Sequence, residues 1–443
     1  MRQIIIWFLL YYLRFFARLS LLINKPKIIG ITGSVGKSSA RNVVYAILKD
    51  HFKVRMIKEG NSETGIPLGI LGLDPGNYQI TDWMKIVILS PFKIFYLTGI
   101  KVLIVEMGID SPYPPKNMDY LLTIIKPNIS VVLNAYPVHS EQFDAIIPDN
   151  LSTDKRTELI TRKIAEEKMK VITKAKPKIG IINKNLASYN RPGWMDTKLM
   201  TFGESKINDV SYGSYDIDLE RSCFELIFPY FRSKKVNIEL KGYFLPKKYQ
   251  EIISAGFLVG LSLGLDVDEI KQSLLANFSL PVGRSSFFKG INDSVIIDSS
   301  YNASRASFLT FIETANLLAK KENRPLVILM GDMRELGKEA EDEHKIVAEA
   351  IKKNADYFFC VGELTKRYVL PEISKIIKNS RWFEDSVKLG KFLQKSLPSH
   401  SIVLVKGSQN TIFLEEAIKF ILQDKKDEKK LCRQSEFWMK KKS

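Results

Sequence analysis

"IIGITGSVGKSSARNVV", residues 28–44, is the stretch whose reading decides the fold. A short apolar run ends at Thr32, two glycines follow at 33 and 36, and Lys37, Ser38 and Ser39 open a helical pattern. Glycines let a backbone turn tightly enough to aim several N–H groups at one point, and the next helix adds its positive N-terminus. Lys37 is then placed for the β- and γ-phosphates of a nucleotide, and the Ser38 hydroxyl for Mg²⁺. The longer phosphate-loop signature asks for glycine at 31, where this chain has Ile31, so the spacing is the shorter G-x-x-G-K-S. Gly33, Ser34, Gly36, Lys37, Ser38 and Ser39 are the expected phosphate-binding set.

Outward from the loop, the pattern alternates apolar strand-like runs with helical stretches. "KVLIVEMG" (101–108), "ISVVLN" (129–134) and "KIGIIN" (178–183) read as buried strands ending in polar or glycine residues, where parallel α/β sheets present their sites. Residues 200–245 alternate like strands with one wet face, and "YQEIISAGFLVGLSLGL" reads as a helix. Pro281 and Gly283 mark a break, after which "SVIIDSS", "PLVILMGDM", "YFFCVGE" and "SIVLVKGS" restart the alternation. The expectation is an α/β protein in four parts: an apolar segment 1–26, a central nucleotide-binding domain 27–280, a smaller Rossmann-like α/β domain 281–425, and a basic tail 426–443 read as a frayed charge run.

The chain has 443 residues and carries 66 Lys and Arg against 49 Asp and Glu, a formal charge of +17. The basic residues are dispersed, with no arginine-rich block interleaved with aromatics, which argues against nucleic acid. An anionic membrane surface fits better, because the charge accompanies "IIIWFLLYYLRFFARLSLLI" (4–23). Arg14 and Arg18 interrupt that run on one helical face; spanning would bury each at about 2.5–3.5 kcal/mol near the bilayer centre. A helix lying in the interface through residues 1–24 avoids that cost. A single span and a helix packed on the protein's own surface are the alternatives. Cys223, Cys360 and Cys432 are too few and too scattered for a disulfide framework or a metal site, as suits the cytoplasm.

Two further candidates sit at strand ends. Glu106 closes "LIVE", where a carboxylate could meet a metal beside the loop; a capping acid would look the same. His139, in "NAYPVHSEQF", follows another strand end, although a lone histidine is more often structural. Both fit the carboxyl-edge rule, and Mg²⁺ takes mainly oxygen ligands.

Taken with "GNSETGIPLGIL", "PVGRSS", "IIDSSYNAS", "GDMRELGKEAEDEH" and "LVKGS", these stretches stand in the order found in the Mur ligases, and the chain resembles that family from about residue 27 to 425. The nearest type in pattern adds D-alanyl-D-alanine to UDP-N-acetylmuramoyl-tripeptide. The resemblance implies an ATP- and Mg²⁺-dependent amide ligase of cell-wall synthesis working through an acyl phosphate, with two domains closing over one ATP. A muramoyl-peptide-like acceptor and an amino-acid or dipeptide amine would be its substrates, at the inner face of the cell membrane. It also implies roles: Lys37, Glu106, His139 and Lys168 catalytic, with Ser38, Glu106, His139 and a carbamylated Lys168 on metal, and Arg284 and Asn302 on nucleotide. On sequence alone Lys168 could equally belong to a solvated helix face. The pattern departs from the family at its start, where about 26 apolar residues stand instead of a UDP-gripping domain, and at Ser299, Ser304, Arg305 and Gln409. A membrane-anchored ligase making a poly-γ-glutamate-like chain and a non-catalytic nucleotide-binding scaffold are the competing readings.

Overall fold

"KIIGIT" is apolar without alternation, and it forms β1 (Lys27–Thr32), buried at every residue after the first. Such a run suits a strand covered on both faces. The computed structural model describes every residue except 1, 59, 77–78, 138–141, 144–145, 149–150, 190–195, 231–232, 409–411 and 443. Two compact units divide the chain: residues 1–213, 225–236 and 250–279, and residues 214–224, 237–249 and 280–443.

The chain opens with α1 (Arg2–Asn24), then β1, α2 (Lys37–Leu48), β2 (Val54–Met56), α3 (Gly65–Leu71), α4 (Ile80–Leu89) and a 3₁₀ turn (Phe92–Phe95). β3 (Val102–Glu106), α5 (Met118–Ile124), β4 (Ile129–Val132), α6 (Thr153–Thr173) and β5 (Ile179–Asn183) follow. β6 (Lys198–Gly203), β7 (Val210–Ile217), β8 (Arg221–Phe228) and β9 (Lys234–Lys241) lead into α7 (Tyr249–Ser262) and α8 (Val267–Asn277). The sheet order is β2-β3-β1-β4-β5-β6-β7-β8-β9, and neighbours from β2 to β7 are parallel. Ile31 lies opposite Glu106 and Thr32 opposite Val132, so β1, β3 and β4 end at one edge. That shared edge is what gathers the site.

α1 packs along the unit. Leu10, Leu13, Ala17 and Ser20 are buried, three and four residues apart, a single helical stripe. Leu10 and Ala17 join the main core, and Leu13 meets Leu68 and Ile86. At 23 residues the helix is long enough to cross a bilayer, but crossing would pull this stripe out of the core. Its other face is exposed and apolar, with Ile4, Phe8 and Phe15 open to solvent.

The second unit takes in parts of β7, β8 and β9 and then, from residue 280, holds β10 (Ser286–Lys289), β11 (Val295–Ser299), α9 (Arg305–Lys321), β12 (Leu326–Gly331), α10 (Ala340–Asn354) and β13 (Tyr357–Val361). α11 (Glu363–Tyr368), α12 (Leu370–Ile373), β14 (Ser380–Phe383), α13 (Ser386–Ser396), β15 (Ile402–Lys406), α14 (Glu415–Ile421) and α15 (Glu436–Lys442) complete it. The strands run β10-β11-β15-β12-β13-β14, parallel apart from β10. Alternate residues feed two cores: Ile297, Ile328 and Leu404 on one face, Ile296, Val327 and Val403 on the other.

The tail departs from its sequence reading. Residues 426–443 are not a frayed charge run, because Leu431, Cys432 and Arg433 are buried. Arg433 meets the fully buried Glu415 through two bonds, Nε–Oε1 at 2.8 Å and Nη2–Oε2 at 2.6 Å. It also donates to the carbonyls of Ser300 (2.9 Å) and Tyr301 (3.2 Å). A buried carboxylate needs a cation, and the tail supplies two, Arg433 before α15 and Lys442 at its end.

Candidate active site

The loop after β1 is shaped by what surrounds it. Gly36 has φ +86°, in the left-handed region, and a Cβ there would stand 3.1 Å from Cδ1 of Ile252 on α7. Asn134, two residues beyond β4, holds the loop from behind. Its Oδ1 accepts the Val35 N–H (2.9 Å), its Nδ2 donates to the Val35 carbonyl (3.1 Å), and its own carbonyl accepts the Ser34 N–H (3.1 Å). Ser34 Oγ donates to the Tyr136 carbonyl (2.9 Å) and accepts the Tyr136 N–H (2.8 Å). Gly36 at the start of α2 brings no capping side chain, so the helix's positive end is presented where the loop turns. Lys37 Nζ donates to the carbonyls of Gly33 (2.8 Å) and Ser34 (3.3 Å), and Ser39 is buried in the first turn.

Across the strand edge, Ser38 Oγ donates to Glu106 Oε2 at 3.0 Å. Arg41, one turn further along α2, brings Nη1 to 2.7 Å from Glu106 Oε1 and also donates to the carbonyls of Ile57 and Lys58. Glu106 is buried, so this guanidinium is what keeps a carboxylate tolerable there. "GNSETG" is drawn to the same edge by the Gly108 N–H, which donates to the Asn61 carbonyl at 2.8 Å.

Lys168 is the outlier. It is 3% exposed, not on a solvated face. Burial pushes its amine well below the ordinary lysine range, and the positive charge of Lys37 pushes the same way, against weaker pulls from Asp110 and Glu167. Among the described residues its amine makes no hydrogen bond or ion pair. Neighbouring Glu167 is already engaged, accepting the Met118 N–H at 2.8 Å and pairing with Lys170. The structure thus brings Lys37, Ser38, Glu106 and Lys168 to one edge; His139 lies outside the described residues.

No group of three or more His, Cys, Asp or Glu side chains forms a metal cage among the described residues. Mg²⁺ does not ask for one: it is held by one or two protein oxygens together with phosphate and water. Ser38 and Glu106 fit that demand.

In the second unit, the Arg284 guanidinium lies 4.5 Å from the Tyr301 ring centroid. Asn302 is exposed, its Oδ1 accepting the Ala303 N–H at 2.8 Å. Lys406, buried, donates to Ser299 Oγ and to the Asn302 carbonyl, each at 3.0 Å. Burial, helped by Arg284, pushes its amine down to about 7. Burial likewise lifts the Asp298 carboxyl to about 6, although Oδ1 accepts the Ser300 N–H at 2.9 Å. Arg305 pairs with Glu343 at 2.5 Å. His344 accepts the Met333 N–H at Nε2 (3.1 Å) and donates from Nδ1 to the Ala340 carbonyl (2.6 Å), fastening "GDMRELG" as a neutral, buried ring. Gln409 lies outside the described residues.

Residues 31–246 match the Mur ligase middle domain, and residues 283–409 match the Mur ligase glutamate ligase domain. The chain belongs to the Mur ligase family. It is 25% identical over 410 residues to the UDP-N-acetylmuramoyl-tripeptide–D-alanyl-D-alanine ligase of Buchnera aphidicola, a match spanning 88% of this chain and 75% of that protein. The enzyme of the same name from Borreliella burgdorferi is 26% identical over 401 residues, 88% of this chain and 74% of the relative. In fold it is similar to the MurF ligase of Thermotoga maritima solved with ADP, with a TM-score of 0.72 at 22% identity, covering 95% of this chain and 84% of that one.

Three residues of this Mur ligase escaped the sequence reading. Arg41 lies three residues after Ser38, hence on the same side of α2, and that spacing was the available signal. Asn134 opens "NAYPVHSEQF", five residues before His139, directly after an apolar run. Lys406 ends an apolar strand as Glu106 does, and the same strand-end rule would have found it.

Proposed function

We propose that this chain is an ATP-dependent amide ligase of peptidoglycan precursor synthesis, joining D-alanyl-D-alanine or a related amine to the carboxylate of a muramoyl peptide. One observation carries the reading: a phosphate loop whose Ser38 meets a buried Glu106 held by Arg41, with the buried Lys168, whose amine has no hydrogen-bond partner among the described residues, within electrostatic reach of Lys37.

The chemistry follows from those residues. An oxygen of the acceptor carboxylate attacks the γ-phosphorus of ATP, and ADP leaves. The amine nitrogen then attacks the carbonyl carbon of the acyl phosphate, and the tetrahedral species collapses with loss of inorganic phosphate and a proton. The first step places negative charge on the transferring phosphoryl group, so positioning and positive potential do most of the catalysis. The α2 N-terminus and Lys37 supply that potential. Ser38 and Glu106 would hold Mg²⁺, which when bound neutralises phosphate charge. Burial disfavours the charged form of Lys168, which favours addition of carbon dioxide at Nζ with loss of a proton to give an oxygen-donor carbamate on the same edge. Arg284 and Asn302 are assigned to the nucleotide and His139 to the metal, by family pattern.

The enzyme works in the cytoplasm, where ATP is supplied and where its three free thiols stay reduced. The exposed apolar face of α1 supports seating at the inner face of the membrane, close to lipid-linked precursors. The test is phosphate release from ATP and Mg²⁺ with UDP-muramoyl-tripeptide and a panel of amines, wild type beside Lys37→Ala. Release that needs acceptor, amine and Lys37 is expected. ATP binding with no acceptor- and amine-dependent release, with soluble or lipid-linked acceptor, would sink the reading in favour of a scaffold.

A further inference from the structure

α1 is not the only apolar element left uncovered. On its outer face Ile4, Phe8, Tyr11, Phe15 and Leu22 are exposed, a heptad-like stripe opposite the buried one. On α4, Ile80, Met84 and Ile88 are exposed at four-residue intervals, Ile80 at 81%. The 3₁₀ turn that follows adds Phe92, 75% exposed, and Phe95.

The two elements are one body. Leu13 of α1 and Ile86 of α4 share a buried cluster, and the Tyr12 hydroxyl donates to the Val87 carbonyl at 2.8 Å. Asn24 Nδ2 donates to the Ile94 carbonyl at 2.8 Å, tying the end of α1 to the 3₁₀ turn. Neither exposed stripe can turn inward without breaking these contacts.

Charge says what the face is for. No Asp or Glu occurs from residue 1 to 49 or from 83 to 105, while Arg18, Lys85 and Lys93 stand among the exposed apolar residues. Asp82 is the acid near the ridge, and its carboxylate accepts the Gln79 N–H at the start of α4. A second copy of the chain would set these cations against one another across a two-fold axis. An anionic bilayer matches both the cations and the aliphatic and aromatic stripes. We propose that α1 and the α4–Phe95 ridge form one seating face for an anionic lipid surface, with α1 lying in the interface. This rests on the membrane contact of α1 proposed above and adds a second, independently testable element. It leaves β1, which starts three residues after α1 and is about 20 Å long, as the link from that face to the phosphate loop.

The test uses the full chain and sedimentation with vesicles of phosphatidylcholine alone or mixed with phosphatidylglycerol. Wild type should bind the mixed vesicles and bind neutral ones far more weakly. The variant Met84→Ser/Ile88→Ser/Phe92→Ser should bind at least about tenfold more weakly, with ATP binding and unfolding midpoint retained, because only exposed apolar surface is removed. Variant binding equal to wild type overturns the two-element face and leaves α1 as the contact. A wild type that ignores vesicles but self-associates, with the variant monomeric, assigns the face to a second copy and overturns the proposal. Should the triple variant not fold, Ile88→Cys in a Cys223→Ser background, labelled with an environment-sensitive dye, decides the matter: a blue shift on mixed vesicles is expected, and its absence overturns the proposal.

Discussion

Lys168 and Lys406 are both buried lysines whose amines are held below their ordinary range, yet their surroundings are opposite in kind. Lys406 has partners: Ser299 Oγ, the Asn302 carbonyl and the faces of Phe308 and Phe311. Lys168 makes no hydrogen bond among the described residues; a like charge presses on both amines, Lys37 on Lys168 and Arg284 on Lys406, so the partners are what differ. A satisfied buried lysine is a staple, holding one turn of chain to one strand. A buried lysine with nothing to bond is unstable where it sits unless it reacts or binds something. The difference supports the proposal that Lys406 is structural and Lys168 chemical without any appeal to the family.

The largest effect should come from replacing the Lys168 amine with an unbranched apolar side chain. Lys168→Met should lower ligase turnover by about a thousandfold, the scale of losing a group that stabilises transition-state charge. Its urea midpoint should stay level or rise, since the buried amine removed has no hydrogen-bond partner among the described residues. Wild type prepared in ¹³C-bicarbonate should show a carbamate carbon resonance that Lys168→Met lacks. A clear loss of folding stability in Lys168→Met, with no carbamate in the wild type, would make Lys168 a staple too.

The second unit supplies the next test. Arg433 is 2% exposed and Glu415 0%, so Arg433→Met leaves a carboxylate with Lys442 alone as counter-charge. A destabilisation of about 3–5 kcal/mol is expected, read from urea unfolding. Since Arg433 also holds the Ser300 and Tyr301 carbonyls, the protein should lose protection from hydrogen exchange at residues 300–303 first. Lys406→Met should cost less, about 1–3 kcal/mol, because it strands one hydroxyl and one carbonyl and removes only a weaker attraction to Asp298. Equal costs at Lys406 and Lys168 would erase the distinction drawn between them.

These regions were not equally legible. The phosphate loop was readable because its determinants are local: strand, two glycines, lysine and serine within a dozen residues. Glu106 was readable because parallel strands in register bring their ends together whatever lies between. The burial of Lys168 was hidden, since Lys163, Glu166 and Lys170 nearby suggest a wet helix, and only the packing of α6 shows which side each residue takes. Arg433 lies in a tail that composition marks as solvated, and Glu415 stands eighteen residues earlier, at the start of α14. Their pairing is a tertiary event that no local pattern encodes. Arg305, noted only as a departure from the family, turned out to hold Glu343.

The smallest effect is a pH dependence that belongs to the second unit alone. Asp298 is fully buried and its carboxyl is raised to about 6, mainly by desolvation, against an ordinary value of 3.8. Between those values the folded protein holds a proton that the unfolded chain has released. The contribution of Asp298 is therefore fully present below about pH 4 and is lost as pH rises through about 6. One such group gives a slope no steeper than about 1.4 kcal/mol per pH unit. Asp298→Asn keeps the acceptor for the Ser300 N–H and removes the titration, so urea midpoints from pH 4 to pH 7 should lose that downward component relative to wild type. An unchanged profile would mean that Lys406, close enough to act on Asp298, already holds it ionised across this range. The two would then be a buried ion pair, and the staple at Lys406 would owe as much to charge as to its two hydrogen bonds.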